Sequence, residues 1–550
     1  MNKFYRKLVK KPGQDDAQPE AQAQTQAPLP ANETTPVPAS TAKSNDKRIS
    51  AVEISRQKSE KFTNAIPRDQ HNISRKLLSP NALKVLYRLQ DNGYEAYLVG
   101  GCIRDILLGQ KPKDFDVATN ATPEQIKACF NNCRLIGRRF RLAHIMYGRE
   151  VIEVATFRGH HDQPPPQNNN KSNTSHHSNE GQLLRDNVYG SIEEDAQRRD
   201  FTINALYYTI DGFYIRDFAH GIDAIKAKKI ELIGDPEARY REDPVRMLRA
   251  VRFSTKLDMT IEAKTEAPMF ELADLLTNIP SARLFEESLK LMLAGKAELN
   301  YLAMRKYGLF EAMHPIPSEV LDGNQQSKQE RLVHQMFINT DSRINNNKRV
   351  TPAYIYAALL WYVLEREIDL NMKDKGLNYY DASYQAMNDV LARHAKSLAL
   401  PRRFSTVSRD IWQLQLRLPR RNGRRANKLM EHPKFRAGYD FLLLRGEIEG
   451  GDLAELGQWW TDFIEGDEKI RNTMVKQLNN QQGAVSQDDA SHEDAEEAQD
   501  FDAQRAADAD VKRPRSRNRH RNRSRRGGAD KPAASANKPA GSPPPSDNSQ

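Results

Sequence analysis

The sequence predicts an α+β fold: a head built of strands and helices, followed by a region that is nearly all helix, between two termini without regular structure. Three observations carry this. Short apolar runs bounded by glycine and polar turns alternate with helical stretches up to about residue 235. From about 255 to 465 apolar residues recur at helical spacing, with Pro and Gly between the segments. Residues 1–72 and 466–550 are polar, compositionally biased and without period.

The bulk numbers agree. Only 38% of the 550 residues are apolar and the mean hydropathy is −0.76, so long stretches are expected to be disordered. No apolar run is long enough to span a membrane, and MNKFYRKLVKK at the start lacks an apolar signal core. Cys102, Cys129 and Cys133 form no CxxC pair, which predicts reduced thiols in a cytoplasmic protein. The net charge is +10, and residues 511–527 hold nine Lys/Arg and no acid. The excess is therefore mostly a tail, which favours a polyanion such as RNA.

The head is organised around YLVGGCIRDILLGQKPKDFDVAT, residues 97–119. This reads as a buried strand ending at Gly100-Gly101, a short helix carrying Arg104 and Asp105, and a second strand carrying Asp114 and Asp116. Residues two apart on a strand share a face, so the two carboxylates project together. Like charges so placed call for a cation between them, and hard oxygen ligands favour Mg²⁺ over zinc. The glycine turn lets backbone approach a phosphate. Metal, phosphate cradle and arginine together point to nucleotidyl or phosphoryl transfer.

The other elements follow in order. Ser79-Pro80 is an N-cap with proline at the first helical position; Leu83, Leu86 and Leu89 line one face and Gly93 ends the helix. Thr122 to Gln125 and Ser191 to Glu194 are capping boxes. Strands are expected near Leu135-Ile136, over His144–Tyr147 and over Val151–Phe157. Glu153 shares a face with Val151 and Ala155; it marks either an edge or solvent face, or a third metal-site carboxylate. The polar loop from His160 to Asp186 carries two His-His pairs, which read as a flexible loop rather than a metal site. Tyr207–Ile210, Asp211-Gly212 and Phe213–Arg216 form a hairpin. YREDPVRMLRAVRF, residues 240–253, is a basic amphipathic helix, with Asp243-Pro244 at its start and Arg246, Arg249 and Arg252 at three-residue steps. An N-cap with a solvated arginine face is its plain reading. RLPRRNGRRANK, residues 417–428, is a basic turn dense enough to suggest a phosphate-contacting surface through Arg420, Arg421, Arg424, Arg425 and Lys428. Residues 486–510 hold ten acids and one Arg; this acidic run either competes with RNA for the basic tail or acts as a spacer.

GGCIRDILLG, DFD, RRDFTINAL and REDPVRMLRAVRF, in this order, resemble the class II nucleotidyltransferases of the polymerase-beta superfamily. LIGRRFRLAHIMYGREVIEVATFRGHH with LLRDNVYGSIEEDAQRRDFTINALYY is similar to the bacterial poly(A) polymerase branch, over roughly residues 75–465. The resemblance implies a mixed-sheet head over 75–235, a nucleotide-base and RNA-binding neck over 236–300, and a helical RNA-binding body and arm over 301–465. It implies that Asp114 and Asp116 hold two Mg²⁺ ions, or Mn²⁺ in their place, one activating the RNA 3′-hydroxyl and the other assisting pyrophosphate departure. The family's third strand carboxylate falls on Glu153, with Asp200 the other candidate for an essential acid. Gly100, Gly101 and Arg104 would face the triphosphate and Arg199 the nucleotide. Asp243 and Arg246 match the family's base-reading pair, and Arg249 and Arg252 its phosphate-facing arginines. Such a pair suits adenine, accepting from its amino group and donating to its ring nitrogen, but cytosine offers the same pattern.

The resulting expectation is a template-independent poly(A) polymerase that adds AMP from ATP to 3′ ends of mRNA, decay intermediates and small RNAs. RNA would cross Arg420–Lys428 and the tail, including Arg515, Arg517 and Arg519. A monomer that associates with RNA-decay factors is implied by the family. The competing expectations are a tRNA CCA-adding enzyme of the same chemistry and a non-catalytic RNA-binding protein on the same scaffold. The long polar loop and arginine-rich tail weigh against the first, and the three acids at Asp114, Asp116 and Glu153 against the second. A metal-dependent phosphohydrolase is weaker, because His161-Asp162 lies in the loop rather than on a helix.

Overall fold

A computed structural model of the chain describes residues 50–137, 141–159, 176–177, 183–185 and 188–482. They fall into two compact units that meet in sequence between Gly234 and Asp235.

The first unit is built on an eight-stranded mixed sheet. Its strands are β1 (Ala65–Ile66), β2 (Ala96–Val99), β3 (Asp116–Thr119), β4 (Cys133–Ile136), β5 (Leu142–Tyr147), β6 (Glu150–Thr156), β9 (Leu206–Tyr208) and β10 (Ile215–Asp217), with β7 (His176–His177) and β8 (Leu183–Arg185) as a separate pair. The order across the sheet is β1-β10-β9-β2-β3-β6-β5-β4. Only β3 and β6 run parallel; the other pairings are antiparallel. The helices are α1 (Ala51–Ser59), α2 (Pro80–Asp91), α3 (Gly101–Leu107), α4 (Pro123–Cys129), α5 (Ile192–Gln197) and α6 (Gly221–Lys226).

Local chemistry explains their starts. Ser79 Oγ accepts from Asn81 N at 3.2 Å with Pro80 at the first position of α2. Thr122 and Ser191 each close the expected capping box. The α2 face in the core is Ala82, Val85, Leu86 and Leu89; Leu83, expected there, is half-buried.

Residues 50–72 depart from the structureless arm expected over 1–72. Ser50 and Glu53 form a capping box that starts α1, and β1 pairs with β10, Ala65 opposite Arg216. Polar composition obscured this segment, because its stabilising partner lies far along the chain. Residues 1–49 lie outside the described residues; of the stretch 466–550 expected to lack regular structure, Glu468–Gln482 is helical and 483–550 lie outside the described residues.

The second unit is almost wholly helical. The helices that shape its sites are α7 (Pro236–Glu242), α8 (Val245–Leu257), α9 (Ser281–Met292), α10 (Tyr379–Ser397), α11 (Arg402–Arg417), α12 (Arg425–Met430), α13 (Phe435–Glu449) and α14 (Gly451–Glu465). Asp243 has an extended backbone and Pro244 caps α8, so the helix starts at the expected Asp-Pro step, while residues 240–242 belong to α7 instead. Leu414, Leu418, Ala426, Leu429, Phe435, Tyr439, Trp460 and Phe463 form one core, and Trp460 Nε1 donates to Leu418 O at 3.0 Å. Deeper in the unit, His314 Nδ1 and His394 Nε2 lie 3.1 Å apart, both buried. Among the described residues no helix is long and apolar enough to cross a membrane.

Candidate active site

The site begins with register. Strand β3 opens at Asp116; Asp114 lies in the irregular segment leading into it rather than on the strand. Parallel β6 sets Glu153 opposite Asp116. Antiparallel β5 sets His144 opposite Glu153, and β4 sets Arg134 opposite His144. Residues in direct register share a face, so Asp116, Glu153, His144 and Arg134 form one polar row over four strands. His144 Nε2 lies 3.2 Å from Glu153 Oε2. Strand β6 is interior to the sheet, so Glu153 is not on an edge, although its side chain does reach solvent, 43% exposed.

The row is electrostatically loaded. The Asp116 carboxyl reaches solvent but is crowded by protein on its other sides. That desolvation, then the negative charges of Glu153 and Asp114, push it up to about 6 against the pull of Arg199. Glu153 and Asp114 therefore both bear on Asp116. Among the described residues, no three His, Cys, Asp or Glu side chains are already gathered around a point where an ion would sit. Asp116 and Glu153 share a face, Asp114 lies two residues before Asp116, and all three offer oxygen donors whose repulsion at Asp116 a divalent cation relieves. This donor chemistry fits Mg²⁺ or Mn²⁺.

The glycine turn is flanked by guanidinium groups. Gly100 has φ +70°, and a Cβ there would lie 3.4 Å from Arg199 Nη1; a Cβ on Gly101 would lie 3.4 Å from Arg104 Nη2. Arg199 is anchored by its Nε to the Tyr207 hydroxyl at 2.7 Å and its Nη2 to Asp195 Oδ2 at 3.1 Å. Burial works against its charge, but Tyr207 and Asp195 outweigh that and raise its pKa. Arg104 is buried, with Nε on Asp105 Oδ1 at 2.8 Å and Nη1 on Asn204 Oδ1 at 2.6 Å. Asp200 Oδ1 accepts from Phe201 N at 2.8 Å and Asn204 Nδ2 at 3.1 Å. It thus steadies the asparagine that holds Arg104. The carboxylates that act on Asp116 are Glu153 and Asp114.

The neck residues form a cluster in the second unit. Arg283, on α9, donates through Nη2 to Asp243 Oδ2 at 2.7 Å. Arg246 is buried, and its Nη1 reaches Arg239 O at 2.7 Å and Glu242 Oε2 at 3.0 Å. Burial opposes the Glu242 charge, yet Arg246 and Arg239 hold its pKa below the usual carboxylate range. Arg249 and Arg252 are half-buried, with their guanidinium carbons 5.3 and 4.6 Å from the Phe253 ring. The arginine face of α8 is thus packed rather than solvated.

The basic turn joins α11 to α12. Arg417, Arg420, Arg425, Lys428 and Leu429 line a small cleft. Arg421 stacks on Trp459 at 4.9 Å, and Arg424 occupies the N-cap of α12. Arg515, Arg517, Arg519, His160 and His161 lie outside the described residues; His176 and His177 are described only as backbone of β7.

Comparison with known proteins sharpens this geometry. Residues 96–231 match the family model "Poly A polymerase head domain". The poly(A) polymerase I of Salmonella typhimurium is 56% identical over 399 residues, covering 72% of this chain and 85% of its own length. That of Haemophilus influenzae is 51% identical over 415 residues, 75% of this chain and 91% of its own. The chain belongs to the poly(A) polymerase I family.

Two further models of the family match: "Probable RNA and SrmB- binding site of polymerase A" over 258–321 and "Polymerase A arginine-rich C-terminus" over 375–526. The CCA-adding enzyme of Lactobacillus helveticus is 38% identical, but over only 213 residues, 38% of this chain and 49% of its own. A solved Thermotoga maritima CCA-adding enzyme complexed with tRNA matches at TM-score 0.46 and 19% identity, covering 76% of this chain and 100% of its own. Within this poly(A) polymerase I frame, sequence reasoning gave no role to Asp195, Asn204, Tyr207, His144 or Arg283. Asp195, four residues before Arg199 on a helical stretch, was the one with a local signal.

Proposed function

We propose that this polymerase transfers AMP from ATP to RNA 3′ ends without a template. The RNA 3′-hydroxyl oxygen bonds to the α-phosphorus, the bond from that phosphorus to the bridging oxygen breaks, and pyrophosphate leaves. The observation that carries the reading is the Asp116–Glu153 register pair, with Asp114 beside it, on the sheet that also presents a glycine turn flanked by two guanidinium groups.

Asp114, Asp116 and Glu153 would hold the divalent ions, which supply Lewis-acid charge for hydroxyl activation and pyrophosphate departure. Arg199 is positioned by Asp195 and Tyr207 to meet nucleotide phosphate at Gly100. Arg104 and Asn204, steadied by Asp200, shape the floor under Gly101. Asp243 and Arg246 would read the base, with Arg283 setting the direction of Asp243. Arg249 and Arg252 would stand on the phosphate side. RNA would run over the basic turn from Arg420 to Lys428, and the tail would add sequence-independent affinity. RNA-decay factors are the protein partners this reading suggests.

Primer extension with Mg²⁺ and each nucleotide separately tests the proposal, on an unstructured RNA and on a tRNA lacking its CCA end. Long A tracts on the unstructured RNA from ATP alone are expected. Addition of C, C and A confined to the tRNA would replace the proposal with the CCA-adding reading.

A further inference from the structure

We propose that Tyr380 and Tyr384, at the start of α10, form a base-stacking platform for single-stranded RNA, with Arg420 and its basic cleft taking the adjoining phosphates. The inference deepens the polymerase reading and rests on it for the identity of the nucleic acid.

Three large aromatic side chains stand exposed within two turns of one helix: Tyr379, Tyr380 and Tyr384, at 47%, 43% and 40%. Tyr380 and Tyr384 are four residues apart, so they lie one above the other on one helix face. Tyr379 meets the Tyr380 ring edge-on at 5.9 Å and 75°. The helix end beneath them is well anchored. Asn378 Oδ1 accepts from Asp381 N at 2.9 Å, and its Nδ2 donates to Asp381 Oδ2 at 2.8 Å. The one acid between the two platform residues and the cap is thereby drawn into the helix terminus.

Charge completes the arrangement. The Arg420 guanidinium lies 4.8 Å from the Tyr380 ring and donates to the Tyr380 hydroxyl. The same Arg420 lines the cleft with Arg417, Arg425 and Lys428. The exposed tyrosine rings thus adjoin a cluster of cations, with Arg420 at the junction. A ligand that satisfies both must offer flat π-faces and a negative charge at each repeat, which describes unpaired nucleotides. A duplex keeps its base faces stacked on one another, and an acidic peptide would engage the arginines while leaving the tyrosines uncovered. Stacking accepts any base, which suits an RNA whose sequence varies upstream of a growing tail.

The test measures binding by the full chain to a short oligoadenylate and to an abasic strand of equal length, by fluorescence anisotropy. Replacing both residues (Tyr380→Ala with Tyr384→Ala) is expected to weaken oligoadenylate binding about tenfold or more, the order carried by base–aromatic stacking. Binding of the abasic strand should weaken far less, because Arg420 loses its Tyr380 contacts but keeps its charge. The Phe counterparts, Tyr380→Phe with Tyr384→Phe, keep the rings and should retain oligoadenylate affinity. Wild-type affinity in the Ala pair would overturn the platform. So would an equal weakening on both strands, which marks impaired phosphate binding or a disturbed fold. Wild-type AMP transfer to an RNA primer, measured alongside, separates the two readings: its absence sinks the polymerase, whereas transfer together with unaltered oligoadenylate affinity in the Ala pair sinks the platform alone.

Discussion

Arg283 closes on Asp243 across forty residues of chain, with Nη2 donating to Oδ2 at 2.7 Å. The side chains are 32% and 23% exposed, so the pair is partly screened and worth on the order of 1 kcal/mol. Its larger consequence is directional. Val245 N also donates to Oδ1 at 3.4 Å, so the carboxylate is held at both oxygens and offers a base amino group its remaining lone pairs from a set position. A set position discriminates between amino groups carried at different reach on adenine and cytosine. Arg283→Ala is expected to lower the ATP-over-CTP preference about fivefold, equivalent to that interaction. Steady-state primer extension with each nucleotide measures it; an unchanged preference would remove Asp243 orientation from selectivity.

The acidic row predicts opposite effects with and without metal. Glu153→Gln removes a charge that helps push the Asp116 carboxyl up to about 6. In EDTA the variant should melt no lower than the wild type, because a repulsion is gone. In Mg²⁺ it should lose most of the metal-induced rise in melting temperature, and Asp116→Asn should abolish AMP transfer while RNA still binds. Thermal melts with and without Mg²⁺ check this. A wild-type metal response in Glu153→Gln would place the third ligand elsewhere.

The two glycines of the turn should respond unequally to alanine. Gly100 has φ +70° and ψ −128°, a region that side chains avoid at a cost of roughly 1–3 kcal/mol. Its Cβ would also meet Arg199 Nη1 at 3.4 Å. Gly100→Ala is therefore expected to lower stability and raise the KM for ATP. Gly101 lies on the helix with no such backbone constraint, and its Cβ would meet only the end of the Arg104 side chain. Gly101→Ala should change stability by less. Urea unfolding of both variants provides the comparison.

The buried histidine pair makes the helical unit acid-sensitive. Burial pushes His394 down to about 4, and burial with the neighbouring His394 lowers His314 as well. The unfolded chain binds protons near the ordinary histidine value while the folded chain does not, so stability is lost as pH falls from about 6.5 towards 4. For His394 alone the loss is on the order of 3 kcal/mol at full extent. The rings around the pair are apolar or neutral, with Phe310 4.8 Å from His314 and Tyr356 5.5 Å from His394. His394→Asn should reduce the drop in unfolding midpoint between pH 7 and pH 5; an equal drop in the variant would assign the acid sensitivity to other groups.

The basic tail lies outside the described residues, and its nine Lys/Arg over 511–527 allow a charge-based expectation. Deleting 511–550 should weaken RNA binding and flatten its salt dependence, by about 0.7 in slope for each single-strand phosphate that the tail no longer neutralises. RNA titrations from low to high salt measure this, and an identical slope would leave the tail without a phosphate role.

Much of the head was legible in the chain because the signals are local. Ser79-Pro80, the boxes at Thr122 and Ser191, and the glycine pair each act through atoms a few residues apart. The order of motifs made the family legible too. The Asp243-Pro244 break was half legible: proline announced a helix start, but the packing of Arg246 against Glu242 and Arg239 turned an expected solvated face into a buried network. The segment at 50–72 was misread, because a two-residue edge strand has no period of its own and depends on β10 for its hydrogen bonds.

By itself the sequence determined which residues are available: two carboxylates beside a glycine turn, a third acid on a later strand, an arginine-bearing helix and a basic turn. It also determined the local starts and stops of most helices, since caps and prolines work at short range. Only the tertiary structure decided that Glu153 stands opposite Asp116, that Tyr207 joins the near neighbour Asp195 in holding Arg199, and that Arg283 aims Asp243. Each of the three requires tertiary placement: strand register between Asp116 and Glu153, the packing of α5 on β9 for Arg199, and of α9 beside the Asp243 turn. Such placement is chosen by the burial of the whole sheet or bundle, a cooperative balance that no short stretch of residues encodes.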